Sequence, residues 1–549
     1  MSVNVILLQR LKQIEHLYGY QVESRVTTER LSEALYCSTR NIAKLMKTLS
    51  SVGWIQWQAG RGRGNLSKLT VIQSFHSVLS EQLKEMVSQG KIEDAYRYAD
   101  TFKYTHVFKV KLSDWLDDTH EAFDKLISLT PYTLPKLHPM HMVDINAGLY
   151  VTAMFDTLIT YDSNLDKFIP HLAHQFYVEA NTYFFRIHPN VYFHNGELLT
   201  PQHVANNILE RAQQPNVASL FYRHVENVEV RMQWVEITLS QSDPLFLHTL
   251  ADIHSAIFLD NPENEAIPFG TGPYQLQHSE KDHWSLSKFQ TYFSHSGIIE
   301  QADFWAIDIE ENPTSGHLEQ VNDGSPKKSD NEFTHCELEG AECLCFHQHS
   351  TSLSMEERAW IKQNIKRILK DTPNNDPAYS LLSHTEVIVE EEMTVPVLPK
   401  RSVLIDSSIS HDIRQLFEQL QAQGLSIKYV DSTEIEAIDI GSQDVLFGND
   451  TTFDYFYWLL VSNMSRSALG EQEQKTLLVE LDDKASQDGS AHNLLPHLNE
   501  IESLLVNEIK ILPLWRKHVT FKTHAMLNGT NMDKRGVMSL KDIWFDRRT

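Results

Sequence analysis

Cysteine and long apolar runs are both scarce in this chain. Four cysteines in 549 residues are too few for the disulfide framework of a small secreted domain. The longest apolar runs, such as VLIDSSI and WLLV, fall well short of the roughly 20 residues that a membrane-spanning helix needs. The first twenty residues open with no basic segment, and Gln9, Arg10 and Lys12 interrupt their apolar stretch, which is not typical of a signal peptide. These features predict a cytoplasmic protein that does not contact a membrane.

The common catalytic and phosphate-binding motifs are also missing. The sequence has no G-x-x-x-x-G-K-[ST] or G-x-G-x-x-G loop, and neither G-x-S-x-G nor H-E-x-x-H occurs. We therefore expect a protein that is not an enzyme and needs no cofactor.

Three of the four cysteines, Cys336, Cys343 and Cys345, lie among histidines in HCELEGAECLCFHQH. Their spacing lacks the paired ligands that are typical of structural zinc sites. The segment CLCF also fits a core strand whose thiols act as small apolar side chains. We expect no metal here, although the sequence alone does not settle the point.

Charge is distributed unevenly along the chain. Residues 1–75 hold ten Lys and Arg against four Asp and Glu, a net charge of +6, whereas the whole chain carries −25. The remaining residues therefore carry −31. A basic head on an acidic body predicts a nucleic-acid contact that is confined to the N-terminal region.

The basic head has the pattern of a helix-turn-helix. Thr27 or Thr28 can cap a first short helix, and Ser38 can cap a second. The second helix has an apolar stripe at positions i, i+3, i+4 and i+7, namely Ile42, Leu45, Met46 and Leu49. Its opposite side carries Arg40, Ala43, Lys44 and Lys47. Three cations on the exposed side of such a helix are typical of DNA recognition, although surface cations are often only solvated.

The segment GWIQWQAGRGRGNLSKLTV, which begins at Gly53, predicts a hairpin directly after this helix. WIQWQ alternates as a strand would with Trp54 inward, AGRGRG forms the tip, and NLSKLTV returns. A hairpin in this place makes the head a winged helix. Arg61 and Arg63 at the glycine-rich tip would reach phosphates or a narrow minor groove.

The same reasoning gives each cation of the head a predicted role in DNA binding. Arg40 and Lys44 would contact base edges or adjacent phosphates. Lys47 and Lys68 would neutralise phosphates.

The chain divides into three predicted parts: a winged helix over residues 1–75, a helical connector over 76–120 and an α/β domain over 121–549. Residues 76–104 favour one or two helices broken at Gly90, which would be a connector or a dimerisation element. In the third part, SVLID, SHDIRQLFEQLQAQG and LSIKYV predict a strand-helix-strand unit. Its helix would bury Ile413, Leu416, Phe417 and Leu420.

Two segments of the third part carry a resemblance to a known family. FHNGELLTPQHV (residues 193–204) and FGTGPYQL (residues 269–276) resemble landmarks of the extracytoplasmic solute-binding proteins of the oligopeptide/nickel class, and LPLWRKH resembles their closing strand. The likeness extends over about residues 123–549. It implies a two-lobed α/β, periplasmic-binding-protein-like fold (class II, oligopeptide type) that closes around a ligand.

The resemblance also implies a ligand site between the lobes, at Met142, Phe221, Tyr222 and Arg223. Phe221 and Tyr222 would stack on a ligand, and Arg223 would pair with an anionic group. The alternative is that the two aromatic residues belong to the core and that Arg223 is a surface cation.

A winged helix in front of this fold resembles the SgrR-type regulators of the sugar-phosphate stress response. That resemblance implies a transcriptional activator whose partners are double-stranded DNA and a small effector: a sugar phosphate, a peptide or another solute. An acidic body is an awkward host for a phosphorylated ligand. The alternative function is a transport-associated solute-binding protein with an incidental basic head. The operator, the direction of regulation and the oligomeric state are left open.

Overall fold

The structure is a computed structural model, and its described residues fall into two compact units, within residues 5–116 and within residues 125–546. It describes residues 5–60, 66–89, 91–116, 125–130, 132–141, 145–213, 217–306, 318–321, 333–348, 353–370, 376–382, 394–431, 438–488, 491–523 and 526–546.

The first unit begins with three helices and a small antiparallel sheet. Its elements are α1 (Val5–Tyr18), β1 (Ser24–Val26), α2 (Thr28–Ala34), α3 (Thr39–Ser51), β2 (Ile55–Gln58) and β3 (Ser67–Val71). The strand order is β1-β3-β2. Thr27 caps α2 by accepting a hydrogen bond from the backbone N–H of Arg30, and Ser38 caps α3 by accepting one from Asn41. This order and these caps confirm the predicted winged helix.

The first strand of the hairpin starts one residue later than the sequence pattern predicts. Gly53 has φ +78°, and the backbone N–H of Trp54 donates to the carbonyl of Leu49 at 3.1 Å, so Trp54 still belongs to the end of α3. Ile55 is therefore the buried residue of β2, and Trp54 is half-buried. The prediction of an inward Trp54 was wrong because the helix cap takes up one residue and shifts the alternation of the strand.

Three further helices complete the first unit: α4 (Phe75–Ser88), α5 (Ile92–Thr101) and α6 (Thr105–Leu116). Over residues 76–104, α4 and α5 confirm the prediction of two helices, although Gly90 itself lies outside the described residues, and α6 lies beyond that range. The break between α5 and α6 falls at Lys103, whose φ is +55°, and no glycine or proline marks that turn. Glu15 of α1 accepts a hydrogen bond from the backbone N–H of Phe75 at 2.5 Å, which ties α4 to α1.

The second unit is an α/β assembly. Its first half contains β4 (Lys125–Thr130), α7 (Gly148–Met154), β5 (Ile159–Asp162), β6 (Lys167–Pro170), β7 (Ala173–Glu179), β8 (Thr182–Ile187), α8 (Pro201–Gln213), β9 (Val225–Arg231), β10 (Trp234–Leu239), α9 (Phe246–Ala251), β11 (Tyr274–Ser279), β12 (His283–Lys288) and β13 (Gln301–Ala306).

The second half contains β14 (Leu318–Val321), β15 (Phe333–Glu337), β16 (Gly340–Phe346), α10 (Met355–Lys370), β17 (Val403–Asp406), α11 (His411–Ala422), β18 (Ile427–Val430), β19 (Ile440–Leu446), α12 (Thr451–Val461), α13 (Asn463–Leu469), α14 (Glu471–Asp488), α15 (Leu495–Asn507), β20 (Ile511–Trp515), β21 (His518–Thr523), β22 (Leu527–Asn528) and β23 (Trp544–Phe545).

These elements form two lobes. The first lobe holds a seven-stranded sheet of order β11-β12-β13-β4-β14-β21-β15 and a four-stranded sheet of order β7-β8-β10-β9. The second lobe is built on a five-stranded sheet of order β18-β17-β19-β16-β20. The chain passes between the lobes from β15 to β16 and returns from β20 to β21. This topology confirms the predicted two-lobed α/β fold.

The predicted strand-helix-strand unit is also confirmed. Strands β17 and β18 are parallel, and α11 between them buries all four predicted apolar residues.

Cys343 and Cys345 are fully buried in β16, as a core strand requires. Among the described residues, no three His, Cys, Asp or Glu side chains are grouped so that they could hold a metal ion. Within the same residues, no helix combines the length and the apolar character that crossing a bilayer requires.

Candidate functional site

The exposed side of α3 carries the three predicted recognition cations. Arg40, Lys44 and Lys47 are all exposed, and their spacing of four and three residues places them along one helix face. The opposite face buries Ile42, Met46 and Leu49 completely, with Leu45 half-buried beside them. The apolar face fixes the orientation of α3, so the cationic face points away from the core of its unit. Their predicted contacts with DNA stay predictions.

The turn between α2 and α3 presents an aromatic side chain that the sequence analysis did not single out. Tyr36 has φ +51° and is 94% exposed. Its backbone N–H donates to Glu33 at 3.3 Å, and that of Cys37 donates to Ser32 at 3.1 Å. This pair of bonds ends a helix with a left-handed residue, for which glycine is the usual choice. A tyrosine there is therefore strained as well as exposed.

The wing is described only in part. Arg61 and Arg63 lie outside the described residues. Lys68 lies on β3, and its Nζ is 3.0 Å from a carboxylate oxygen of Glu23, with both side chains about half exposed. A phosphate contact by Lys68 would have to compete with this ion pair, and its predicted role stays a prediction.

A cavity of about 500 Å³ opens between the two lobes of the second unit. The first lobe lines it with the end of α7 and the residues that follow, with β5, with His171 after β6, with the end of α9 and with Arg535 and Lys541. The second lobe contributes Asn449, Asp450, Phe453 and Asp454, at the start of α12. Four carboxylates line the cavity: Asp156, Asp252, Asp450 and Asp454.

Asp156 is the most heavily hydrogen-bonded of these carboxylates. It accepts hydrogen bonds from the hydroxyls of Thr271 at 3.0 Å and Tyr292 at 3.1 Å, and His171 Nε2 lies 2.8 Å from it. Burial, followed by the Asp156 charge, raises the pKa of Tyr292, which keeps its hydroxyl a neutral donor. Since three side chains hold the carboxylate, the cavity wall at Asp156 is preorganised.

Asp454 lies near the cation Arg535, which also lines the cavity. Burial raises the pKa of Asp454 to about 7, against the opposing influence of Arg535. The carboxylate accepts a hydrogen bond from the backbone N–H of Gly448 at 2.6 Å. Although burial opposes the charge of Arg535, the carboxylates of Asp454, Asp533 and Asp252 raise its pKa overall. This cation is thus already balanced by acidic neighbours.

Replacing Asp454 by asparagine is expected to change how stability depends on pH. The ordinary pKa of an aspartate is 3.8, against about 7 for folded Asp454, so between these values the folded protein binds a proton that the unfolded chain releases. Stability from this group is therefore lost as the pH rises from about 4 to about 7. Asp454→Asn should melt at a higher temperature than the parent at pH 8 and near the same temperature at pH 4. An equal difference at both values in a thermal melt would contradict this assignment.

The predicted ligand residues occupy other places. Met142 lies outside the described residues. Phe221 is buried and stacks on Tyr457 at 5.4 Å between ring centroids, and the buried Tyr222 hydroxyl is 2.5 Å from Ser255 Oγ. Neither these two residues nor Arg223 lines the cavity described above, because the turn that carries them packs its rings against the core. A direct contact with a ligand stays a prediction.

Arg223 instead joins an ion-pair cluster between the lobes. Its guanidinium makes two hydrogen bonds to Asp482 of α14, one of them from Nε at 3.2 Å. Nε2 of His224 lies 3.4 Å from Asp482, and a carboxylate oxygen of Asp243 lies 3.8 Å from Arg223. We name these four residues the interlobe clasp. A second link between the lobes joins His248 and Asp450 at 2.5 Å.

Two family models match the chain, one in each unit. "Sugar transport-related sRNA regulator N-term" matches residues 8–119, and "Bacterial extracellular solute-binding proteins, family 5 Middle" matches residues 167–319. A relative from Photorhabdus laumondii, named "HTH-type transcriptional regulator SgrR", is 23% identical over 98% of both chains. The chain thus combines an SgrR-type N-terminal domain with a family 5 solute-binding domain, and it is similar to SgrR-type regulators over almost its whole length.

Two further relatives also match along almost their whole length. The Yersinia enterocolitica protein of the same name is 23% identical over 99% of each chain. An uncharacterised Bacillus subtilis protein, YhjP, is 22% identical over 98% of this chain and all of its own. The similarity to each relative therefore extends over both matched domains of this chain.

Solved structures match the solute-binding part. A dipeptide-binding protein from Pseudoalteromonas in complex with Met-Leu superposes with a TM-score of 0.62 at 14% identity. NikA from Brucella suis, in complex with Fe(III)-EDTA, gives 0.60 at 16%. Each covers 77% of this chain and 100% of its own. At this identity the likeness establishes the fold and leaves the ligand open.

Proposed function

We propose that the protein is a cytoplasmic DNA-binding transcriptional regulator that senses a small solute in the cavity between its lobes. The observation that carries the proposal is the exposed cationic face of α3, in a winged helix that shares its chain with a solute-binding fold. We assign DNA binding to residues 1–75, the helical connection to residues 76–120 and sensing to residues 121–549. Catalysis forms no part of the proposal.

The cationic face distinguishes this function from that of a transport-associated solute-binding protein. A head that is incidental to transport has no need of three exposed cations on one face of a capped helix. Cell fractionation separates the two functions, because a regulator is recovered with the cytoplasm and a transport component with the envelope.

The charges of the cavity bear on the effector. Its lining holds four aspartates against Arg535 and Lys541, and Arg535 is already balanced by acidic neighbours. A dianionic sugar phosphate would lose hydration beside an excess of carboxylates, which disfavours it. Among the effectors that the sequence leaves open, the lining therefore favours a peptide or another solute with a free amine.

Calorimetric titration of the full chain tests this sensing proposal. We expect dialanine to bind and glucose 6-phosphate to bind at least tenfold more weakly at pH 7.5. Asp450→Asn, which keeps a side chain able to cap α12, should weaken binding of dialanine about tenfold. The exposed Asp260 gives a matched control, since Asp260→Asn should leave binding unchanged. Tighter binding of glucose 6-phosphate would overturn the amine preference and leave the sensing role intact.

A further inference from the structure

We propose that Tyr36 is a DNA-contacting residue whose hydroxyl donates a hydrogen bond to a phosphate oxygen next to the site of α3. The inference rests on the proposed function and adds to it a contact made by the turn. Nothing in the cationic pattern of the head points to this residue.

The first argument is the exposure of the side chain. Tyr36 is 94% exposed, whereas Leu31 of α2 and Leu35, the C-cap residue of that helix, are fully buried. The turn therefore gains no packing from its tyrosine. An aromatic ring with a hydroxyl group is well suited to a surface that another molecule covers, because the ring offers contact area and the hydroxyl can donate.

The second argument is the backbone conformation. The bonds from Tyr36 to Glu33 and from Cys37 to Ser32 hold φ of Tyr36 at +51°, where a glycine would be free of strain. The end of α3 uses the same arrangement and has Gly53 at the equivalent position, with φ +78°. Two successive helices of one unit thus end in the same way, one with the favoured residue and one with a strained tyrosine. Strain of this kind is common where a side chain serves binding.

The third argument is the position of the turn. Tyr36 comes two residues before Ser38, the N-cap of α3, and four before Arg40, the first of the exposed cations. In a helix-turn-helix that docks α3 in the major groove, the turn that leads into α3 lies beside the DNA backbone. Hydroxyl groups on such turns position the protein by contacting phosphates.

Strain alone does not mark a binding residue, and the chain supplies the comparison. Met232, between β9 and β10, has φ +56° and is 93% exposed. It has the same conformation and exposure as Tyr36 but lies in the solute-binding unit, on a hairpin turn. It therefore serves as a matched control for the effect of strain on stability.

The experiment measures stability and DNA affinity in the same full-length variants. The probe is a 30-base-pair duplex of random sequence at low ionic strength, and stability is measured by thermal melting. We expect Tyr36→Gly to raise the melting temperature, because strain is relieved, and to weaken duplex binding about tenfold. Tyr36→Phe should weaken binding to a similar extent with little change in melting temperature. Met232→Gly should raise the melting temperature and leave affinity unchanged.

The outcomes separate this inference from the proposed function. If the parent protein binds the duplex and Tyr36→Gly binds equally well, the inference is overturned and the proposed function stands. Weaker binding by Tyr36→Gly with normal binding by Tyr36→Phe would overturn the hydroxyl contact. A lower melting temperature for Tyr36→Gly would overturn the assignment of strain. If the parent does not bind any duplex, both proposals fail.

Discussion

Replacing Arg40, Lys44 and Lys47 together by alanine is expected to weaken binding of the full chain to duplex DNA by about two orders of magnitude at low salt. Each phosphate contact that is lost means that fewer counterions are released when the protein binds. The slope of log affinity against log salt should therefore flatten by about two to three units. Fluorescence anisotropy with a labelled duplex at several salt concentrations measures both quantities.

The fold should survive this triple substitution. All three side chains are exposed, and alanine is a better helix former than arginine or lysine, so the melting temperature should change little. The matched control removes three exposed lysines from the solute-binding unit, Lys167, Lys281 and Lys428. It makes the same change in net charge and should leave most of the affinity intact. Equal losses in the two triple variants would show that net charge matters and that the face of α3 does not.

Breaking the interlobe clasp is expected to have the largest effect on stability. Asp482→Ala leaves the half-buried guanidinium of Arg223 with its hydrogen bond to the carbonyl of Leu220 at 2.7 Å and with the more distant carboxylate of Asp243 at 3.8 Å. Removing one partner of a fully buried ion pair costs roughly 3–5 kcal/mol. Since Arg223 and Asp482 keep about a sixth of their side-chain surface exposed, we expect about 2–3 kcal/mol in urea unfolding, after allowance for screening.

A double-mutant cycle isolates the clasp from other effects of these substitutions. Arg223→Ala with Asp482→Ala should cost less than the sum of the two single changes, because neither charge is then left unpaired. Glu480→Ala, on the exposed side of the same helix, controls for the loss of one acidic residue from α14. Additive costs would contradict a direct pairing between Arg223 and Asp482.

Local pattern accounts for the parts of the fold that were correctly predicted. The stripe of Ile42, Met46 and Leu49 repeats within one helix, and a capping serine precedes it, so α3 and its exposed face could be found from adjacent residues. The first strand of the wing was predicted to start one residue too early. The backbone N–H of Trp54 bonds to the carbonyl of Leu49, and the sequence pattern does not show that the helix ends in this way. Helix α6 was not predicted as a separate element, since neither a glycine nor a proline marks the left-handed turn at Lys103 that precedes it.

The ligand cavity was beyond the reach of local pattern. Its walls meet because strands far apart in sequence assemble the lobes, so Asp156 and Asp450 line one cavity with almost 300 residues between them. Arg223 was predicted to bind an anionic ligand group, whereas it pairs with an aspartate 259 residues away. A cation whose partner is so distant cannot be distinguished from a free one in the sequence.

The central claim is that the basic N-terminal unit binds double-stranded DNA. The salt dependence of duplex binding by the unmodified full chain tests this claim most directly. Six cations are predicted at the interface: Arg40, Lys44, Lys47, Arg61, Arg63 and Lys68. If most of them neutralise phosphates, log affinity should fall linearly with log salt with a slope of about −4 to −5. Failure to bind any duplex at low ionic strength, or an affinity that does not change with salt, would contradict it.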